Sequence, residues 1–270
     1  MNSDTERTAL DADAIRSAVV RPRGGWRRFD VVAETGSTNA DLLARARSGE
    51  DIGGVVLAAE YQSAGRGRNG RQWSAPPRSQ IAVSAGVQTD GVPSSAWGLL
   101  PLATGVAVID AVATVTGVTA KLKWPNDVLV GTGKLAGILA EVAAPTQAVV
   151  IGTGLNVSLT ADEVPDPVAT SLTMLGVATV DRTALLAEFL GRLADRITRW
   201  RETGGADPGL LDDYRQRSAT LGTSVQVLLP GDRRLLGQAI DVDESGRLLI
   251  DSEGERITVA AGDVTHLRPA

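Results

Sequence analysis

Apolar positions along the first 220 residues alternate between helix-like and strand-like spacing. In Asn39–Ser48 the apolar residues Leu42, Leu43 and Ala46 share one face, and Gly49 follows them, which predicts a short helix. Short apolar or alternating runs elsewhere are typical of buried strands. The runs that predict strands are Asp30–Ala33, Val55–Ala59, Ile81–Val87, Ala120–Trp124, Ile138–Val142 and Ala148–Val157.

Two longer helices are predicted around these strands. Trp97–Val115 is rich in Ala, Leu and Val, and its regular part should begin near Gly98, because proline such as Pro101 is tolerated only in a first turn. An amphipathic helix begins after Asp181, which can cap it. Residues 61–78 are predicted to be a long polar loop, and the first 25 residues a short arm with one helical turn.

The pattern changes to short strands separated by turns after Leu221. The predicted strands are 225–229, 235–242, 248–251 and 256–259, with Gly-containing turns between them. This spacing predicts a small antiparallel module with the size of an SH3-like β-barrel. The whole chain is therefore predicted to be α+β, with a mixed sheet and packed helices in residues 1–220 and the small barrel in residues 221–270.

Composition narrows the possible chemistry. The 270 residues carry a net charge of −5, and 43% are hydrophobic, which is ordinary for a soluble globular protein. There is no Cys, so thiol catalysis and Cys-ligated metals are excluded. His266 is the single His and lies four residues from the C-terminal end, which excludes a multi-His metal site and argues against a Ser–His–Asp triad. His266 itself is predicted to be a surface residue or to lie at a strand end. Neither a signal-peptide core nor a membrane-spanning apolar run is present, which predicts a cytoplasmic protein without a membrane partner.

The segment Gly65–Gly70 matches the spacing G-x-G-x-x-G but lacks the context of a dinucleotide-binding loop. No strand runs directly into it, and the Pro-containing segment after it cannot open a helix. A phosphate-binding P-loop at Gly133-Lys134 also fails, because Leu135 follows the lysine. The segment 61–89 instead carries four arginines and no acidic residue, which suits an anion-binding loop, although a solvated surface loop has the same composition.

Three further segments place polar groups at defined positions. Lys121–Asp127 puts Trp, Pro, Asn and Asp at a strand end, and Gly133–Glu141 opens an apolar strand with Lys134. Gly36–Asn39 stands at a helix start, where side-chain oxygens and free N–H groups collect. Each segment also has a purely structural interpretation. Lys121–Asp127 could form an Asx turn, Lys134 could protect a sheet edge, and Gly36–Asn39 could be an ordinary N-cap.

The order of these segments resembles that of the biotin protein ligases. The chain has Ser-Thr-Asn, then Gly-Arg-Gly-Arg-x-Gly-Arg-x-Trp, then Lys-Trp-Pro-Asn-Asp, then Gly-Lys-Leu-x-Gly-Ile-Leu, and then Gly-x-Gly-x-Asn-Val. The small C-terminal module also fits that family. The resemblance implies a class II aminoacyl-tRNA-synthetase-like catalytic domain. The matching residues are Ser37–Asn39, Gln62 with Gly65–Trp73, Lys123–Asp127, Lys134–Glu141 and Gly152–Val157.

The resemblance implies a reaction in two steps. Biotin and ATP would form biotinyl-5′-AMP and pyrophosphate, and a lysine of a biotin carboxyl carrier domain would then displace AMP. Fixed cations would be needed because the biotin carboxylate must approach the negatively charged phosphates of ATP. Mg²⁺ would enter bound to ATP and would not occupy a metal site of the protein. The resemblance implies catalytic roles for Lys134, Arg66, Arg68 and Asp127. It implies ligand binding by Ser37, Thr38, Asn39, Gln62, Gly65, Arg66, Gly67, Arg68, Arg71, Trp73, Lys123, Asn126, Lys134, Gly137 and Asn156.

By the same resemblance, individual residues have expected positions along the ligands. Ser37, Thr38 and Gln62 would bind the ureido ring, and Trp73 would cover the ligand. Lys134 would lie beside the carboxylate and the α-phosphate, under a loop closed by Arg66, Gly67 and Arg68. Asn156 would reach the adenine side, and Asn126 and Asp127 would position metal-bound phosphate or the incoming amine.

Two other functions remain open from the sequence. A lipoate-protein ligase of the same fold also makes an acyl-adenylate, and a non-enzymatic module could hold RNA or another polyanion with the arginine loop. Many biotin protein ligases also carry an N-terminal winged helix-turn-helix. Only 36 residues precede Ser37 here, which predicts a ligase without specific DNA binding.

Overall fold

Helices cover both faces of a seven-stranded mixed sheet in the computed structural model, which describes residues 7–20, 25–144, 147–164, 166–229, 233–260 and 262–267. The strand order is β1-β2-β3-β7-β6-β5-β4, and only β1 and β2 run parallel. The α+β prediction is therefore confirmed. The seven strands are β1 Arg28–Val32, β2 Val55–Ala59, β3 Gln80–Gln88, β4 Lys121–Lys123, β5 Asp127–Val130, β6 Gly133–Ala143 and β7 Ala148–Asn156.

Alternate residues of the central strands join different hydrophobic clusters. Val56 and Ala58 pack with the long helices, whereas Leu57 packs under α2, because successive side chains of a strand point to opposite faces. Helix α2 therefore covers one face, and the other helices pack on the opposite one. The helices are α1 Ala12–Val19, α2 Thr38–Arg47, α3 Leu99–Thr116, α4 Arg182–Glu202 and α5 Pro208–Arg217.

Helix α3 is apolar enough to cross a membrane by length and composition, together with the short turn before it. In the fold it lies inside the core, where most of its residues are buried against α4, α5 and the sheet. It begins at Leu99 with Pro101 in its first turn, as predicted, since that position needs no helical N–H donor. An apolar helix of this kind is the core helix of a globular fold.

Five short strands after residue 220 form an antiparallel sheet in the order β11-β10-β9-β8-β12. The predicted antiparallel module is therefore confirmed, and its two outer strands do not pair with each other in the described part of the chain, so it is an open sheet and not a closed barrel. A domain boundary at residue 220 stays a prediction. The strands are β8 Ser224–Leu229, β9 Arg233–Val242, β10 Leu248–Ser252, β11 Glu255–Val259 and β12 Asp263–His266.

A chain of hydrogen bonds joins this small sheet to the large one. The backbone N–H of Trp124 donates to Thr220 Oγ1 at 3.0 Å, and Thr220 Oγ1 lies 3.0 Å from Nε2 of His266. Because Thr220 already accepts from Trp124, its hydroxyl proton can be donated to a neutral His266 ring. His266 lies at the end of β12, as expected. Burial, and secondarily the positive charge of Lys123, lowers the pKa of His266 below its ordinary value of 6.5.

This contact makes stability depend on pH in one direction. The unfolded state, with the higher histidine pKa, binds more protons below pH 6.5, so the free energy of unfolding should fall as the pH drops through that value. We expect urea unfolding of the wild-type protein to lose more stability between pH 7.5 and pH 5.5 than unfolding of His266→Gln. An equal loss of unfolding free energy in both proteins would contradict the lowered pKa of His266 in the folded state.

Candidate functional site

The sequence segments singled out above meet in one cavity of about 280 Å³ beside the N-terminus of α2. Its floor is the sheet face formed by β3, β7 and β6. Its sides are the loop between β2 and β3, the turn between β4 and β5, and the start of β12. The cavity therefore lies between the large sheet and the C-terminal module.

Small residues in register leave room for a flat ring on the floor. Ala82, Gly154 and Gly137 pair across the three strands. A Cβ on Gly154 would stand 2.4 Å from the Trp73 indole, and one on Gly137 would stand 3.0 Å from it. The indole N–H donates to Gln80 Oε1 at 2.5 Å. Trp73 is thus fixed on a surface that only glycine permits.

A buried polar group occupies the end of the cavity at α2. Ser37 caps the helix, and the backbone N–H of Thr38 donates to Gln62 Oε1 at 2.9 Å. The Thr38 hydroxyl lies 2.7 Å from Ser84 Oγ, which donates to Asn39 Oδ1 at 2.6 Å. These five residues, Ser37, Thr38, Asn39, Gln62 and Ser84, are each at most 8% exposed. Neutral donors and acceptors in a buried pocket suit an uncharged polar ring.

A cation lies in the middle of the cavity. Lys134, near the start of β6, places Nζ 2.7 Å from Asp127 Oδ1 and 5.5 Å from the centre of the Trp73 ring. The Lys134 backbone is fixed on both sides, because its N–H donates to the Val168 carbonyl and its carbonyl accepts from the Thr170 N–H. Asn156 reinforces this with a hydrogen bond from Nδ2 to the Thr170 carbonyl at 3.0 Å.

The arginine loop folds back on itself above the cavity. Gly67 N–H donates to the Arg71 carbonyl at 2.7 Å, and residues 68–70 form one 3-10 turn with Asn69 in the left-handed region. Gly65 does not line the cavity. A Cβ there would meet the Trp73 carbonyl oxygen at 2.2 Å, so this glycine lets the two ends of the loop pair closely.

Arginines of the loop contact other parts of the cavity wall. Arg68 donates to Asn126 Oδ1 at 3.1 Å, and Arg71 forms an ion pair of 2.6 Å with Asp263 on β12. Arg66 pairs with Glu141 on β6. Burial lowers the pKa of Arg68, against the opposing effect of Asp263 and Asp127. The guanidinium still carries its charge at neutral pH, and it loses hydration without a full counterion, so an anion would stabilise it.

Most of the predicted site residues line this one cavity. The role of each residue in binding or catalysis stays a prediction. The predicted residues that line it are Ser37, Thr38, Asn39, Gln62, Arg66, Gly67, Arg68, Arg71, Trp73, Lys123, Asn126, Asp127, Lys134, Gly137 and Asn156.

Sequence reasoning missed Ser84, Gln80, Glu141, Gly154 and Asp263. The first four face the site from neighbouring strands, and the pairing register that brings them together is not visible in one sequence. The predicted strand Ile81–Val87 contains Ser84, and only its extension by one residue would place Gln80 on the same face, which is the available signal. Asp263 belongs to the C-terminal module, and no local pattern indicates which residue of this module reaches the cavity.

Carboxylates around the cavity do not form a metal cluster. Among the residues that the structure describes, no group of three or more His, Cys, Asp and Glu side chains could hold a metal ion. Asp127 faces Lys134, and Asp263 faces Arg71. A cation such as Mg²⁺ would therefore need most of its ligands from a bound phosphate or from water.

The glycine floor gives a direct test of the packing. Gly154→Ala should lower the free energy of unfolding by about 1–3 kcal/mol, because the added methyl group overpacks against Trp73. Gly191→Ala is the matched control, since a Cβ at that exposed position of α4 meets nothing within 4 Å and alanine favours a helix. The measurement is urea unfolding of both variants. A Gly154→Ala protein as stable as Gly191→Ala would contradict the close contact.

Comparison with known proteins identifies two family models along the chain. Residues 31–156 match the Biotin/lipoate A/B protein ligase family, and residues 220–267 match the Biotin protein ligase C terminal domain. The chain is 54% identical to the biotin–[acetyl-CoA-carboxylase] ligase of Mycobacterium tuberculosis over 98% of both chains. It is 34% identical to the same-named ligase of Paracoccus denitrificans, over 87% of this chain and 98% of that protein.

A solved structure shares the fold. The biotin protein ligase of Aquifex aeolicus, in complex with biotin and ATP, superposes with a TM-score of 0.77 at 25% sequence identity. The match covers 90% of this chain and all of that one. Both the large sheet and the C-terminal module thus have counterparts of known structure.

Proposed function

The chain belongs to the biotin protein ligase family, and from that premise we propose that its cavity joins biotin to AMP and then passes biotin to a carrier lysine. The observation that carries the proposal is the order of groups along one cavity. A buried neutral polar end lies at α2, a flat indole and Lys134 lie in the middle, and Arg68 lies above them. This order matches a ligand with an uncharged polar ring at one end and a carboxylate at the other.

Each part of the ligands then has a place. The ureido ring of biotin binds at the α2 end, where Ser37, Thr38 and Gln62 offer hydrogen bonds. Trp73 covers the apolar part, and the carboxylate reaches Lys134. The nucleotide extends toward Asn156, and Arg71, Gly67 and Lys123 line the way out.

The first chemical step joins two anions. A biotin carboxylate oxygen attacks the α-phosphorus of ATP, the new carboxyl–phosphate bond forms, and the bond to the β-phosphate breaks with release of pyrophosphate. Lys134 and Arg68 offset the repulsion between the reactants, which is the largest electrostatic obstacle to this step. Asp127 keeps Lys134 oriented at 2.7 Å before the substrates arrive.

The second step transfers the biotinyl group. The neutral ε-amine of a lysine on a biotin carboxyl carrier domain attacks the carbonyl carbon of biotinyl-5′-AMP, the carbon–oxygen bond breaks, and AMP leaves with its electron pair. The amine proton passes to solvent or to AMP. Asn126 steadies Arg68 in this step through the 3.1 Å hydrogen bond, so the leaving phosphate stays neutralised. The chemistry uses no His or Cys base.

Mg²⁺ accompanies ATP in this proposal. The paired state of Asp127 and Asp263 leaves the metal to be held mainly by phosphate oxygens, where it would screen their charge. The cell compartment is proposed to be the cytoplasm. Specific DNA and membranes are not proposed as partners, and the acidic residues of the C-terminal module, which repel phosphate, support this for DNA.

Adenylate formation tests the proposal against its alternatives. The protein is mixed with Mg-ATP and either biotin or lipoate, and pyrophosphate release and the acyl-adenylate are followed, the latter by mass spectrometry. The proposal expects biotinyl-5′-AMP and no lipoyl-AMP. Lipoyl-AMP alone would favour a lipoate ligase, and no adenylate with salt-sensitive RNA binding would favour a polyanion-binding module.

A further inference from the structure

A continuous path of hydrogen bonds leads from the buried end of the cavity to the arginine loop. It runs through Thr38, Ser84, Asn39 and Glu141 and ends at Arg66. Glu141 carries no role in the reaction described above. Its side chain is only 21% exposed, although it is a carboxylate whose neighbours along β6 are apolar.

The partners of Asn39 fix the direction of this path. Nδ2 donates one hydrogen to the Leu139 carbonyl at 3.1 Å and the other to Glu141 Oε2 at 2.9 Å. Both partners are acceptors only, so the amide cannot be reversed, and Oδ1 must face the Ser84 hydroxyl. Both amide hydrogens of Asn39 are therefore used inside the protein. Asn39 lines the cavity without a free donor for a ligand.

Glu141 is the group that serves two donors at once. Oε2 accepts from Asn39, and Oε1 accepts from the Arg66 guanidinium. Only a carboxylate offers two acceptor oxygens in this geometry, because a side-chain amide would present an NH₂ group to one of the two donors. A charged acceptor also strengthens both bonds.

We propose that Glu141 is a positioning residue that holds Arg66 in place relative to the ureido-binding end of the cavity. It ties the arginine loop to Asn39, and through Asn39 to Ser84 and Thr38. The inference rests on the proposed function for the identity of the ligand, but the contact between Glu141 and the loop can be tested without any ligand.

The first test measures loop protection in the ligand-free protein. Glu141→Gln keeps the size of the side chain and removes one acceptor and the charge. Tryptic cleavage after Arg66 should become at least about threefold faster than in wild type, because the loop is released more often. Glu188→Gln is the matched control, since Glu188 pairs with Arg192 on the exposed side of α4. Equal cleavage in Glu141→Gln and wild type would overturn the proposal.

The second test separates positioning from general stability. Single-turnover formation of biotinyl-5′-AMP should slow about tenfold in Glu141→Gln. In an Arg66→Ala background, the same substitution should change the rate by less than about twofold, since the group through which it acts is gone. Additive effects of the two substitutions would overturn the proposal. If the wild-type protein makes no adenylate, the proposed function fails, and the cleavage test still decides the role of Glu141.

Discussion

Lys134→Ala is expected to slow formation of biotinyl-5′-AMP about a hundredfold and to leave the fold intact. Its ammonium group lies where the carboxylate and the α-phosphate must meet, and loss of one such charge from a preorganised site costs about 3 kcal/mol of transition-state stabilisation. The side chain is partly exposed and belongs to the cavity wall, so the free energy of unfolding should change little.

The control for this prediction uses another of the three lysines of the chain. Lys121 is exposed on β4 and does not line the cavity, so Lys121→Ala should keep the wild-type rate. Single-turnover kinetics with radiolabelled ATP measures both variants. A Lys134→Ala rate within about twofold of wild type would remove this residue from the chemistry.

Arg68→Ala is expected to produce a comparable loss of adenylation, again about a hundredfold. The reason is that Arg68 is a cation that burial deprives of hydration, as its lowered pKa indicates. A bound phosphate would supply the missing counterion. The ligand-free variant should keep its free energy of unfolding within about 1 kcal/mol, because the removed cation was only partly compensated.

Comparison with Arg192→Ala separates this effect from a general loss of positive charge. Arg192 pairs with Glu188 on the exposed face of α4 and does not line the cavity. The Arg192→Ala protein should bind and adenylate biotin as wild type does. If Arg68→Ala lost unfolding free energy in proportion to its loss of adenylation rate, the role of Arg68 would be structural. The proposed role of Arg68 in adenylation would then fail.

Long elements with strong periodicity were predictable from the sequence. Helix α4 begins after its predicted cap Asp181, and strand β2 has the predicted bounds, because burial on one or both faces dictates most of their residues. The N-terminal helix α1 is two turns long where one was expected. Its pattern is short, and its stability comes from Ile15 and Val19, which pack into the main core.

Short elements could not be predicted in the same way. Helix α5 has only Leu210, Leu211 and Tyr214 as buried residues in a polar segment, although Asp207 and Pro208 are a recognisable start signal. Strands β5 and β12 have four residues each, too few for a period to appear. They form because the neighbouring strands offer hydrogen bonds, which is a tertiary effect.

The candidate site also has residues that local sequence patterns indicate and residues that only the tertiary structure brings together. Lys134 and Trp73 could be predicted because each lies in a sequence motif that resembles a motif of the biotin protein ligases. The contacts of Gln80 and Glu141 could not be derived, since they depend on which strands pair and in which register. The contact of Arg71 with Asp263 depends on how two packed units meet, and no local pattern encodes that.

Transfer of biotin to a carrier tests the central claim most directly. The protein is incubated with Mg-ATP, biotin and a biotin carboxyl carrier domain, and the intact mass of the carrier is measured. The account predicts a mass gain of one biotinyl group that requires ATP and is absent from a carrier whose acceptor lysine is replaced by arginine. An unchanged carrier mass, or an equal gain without ATP, would contradict it.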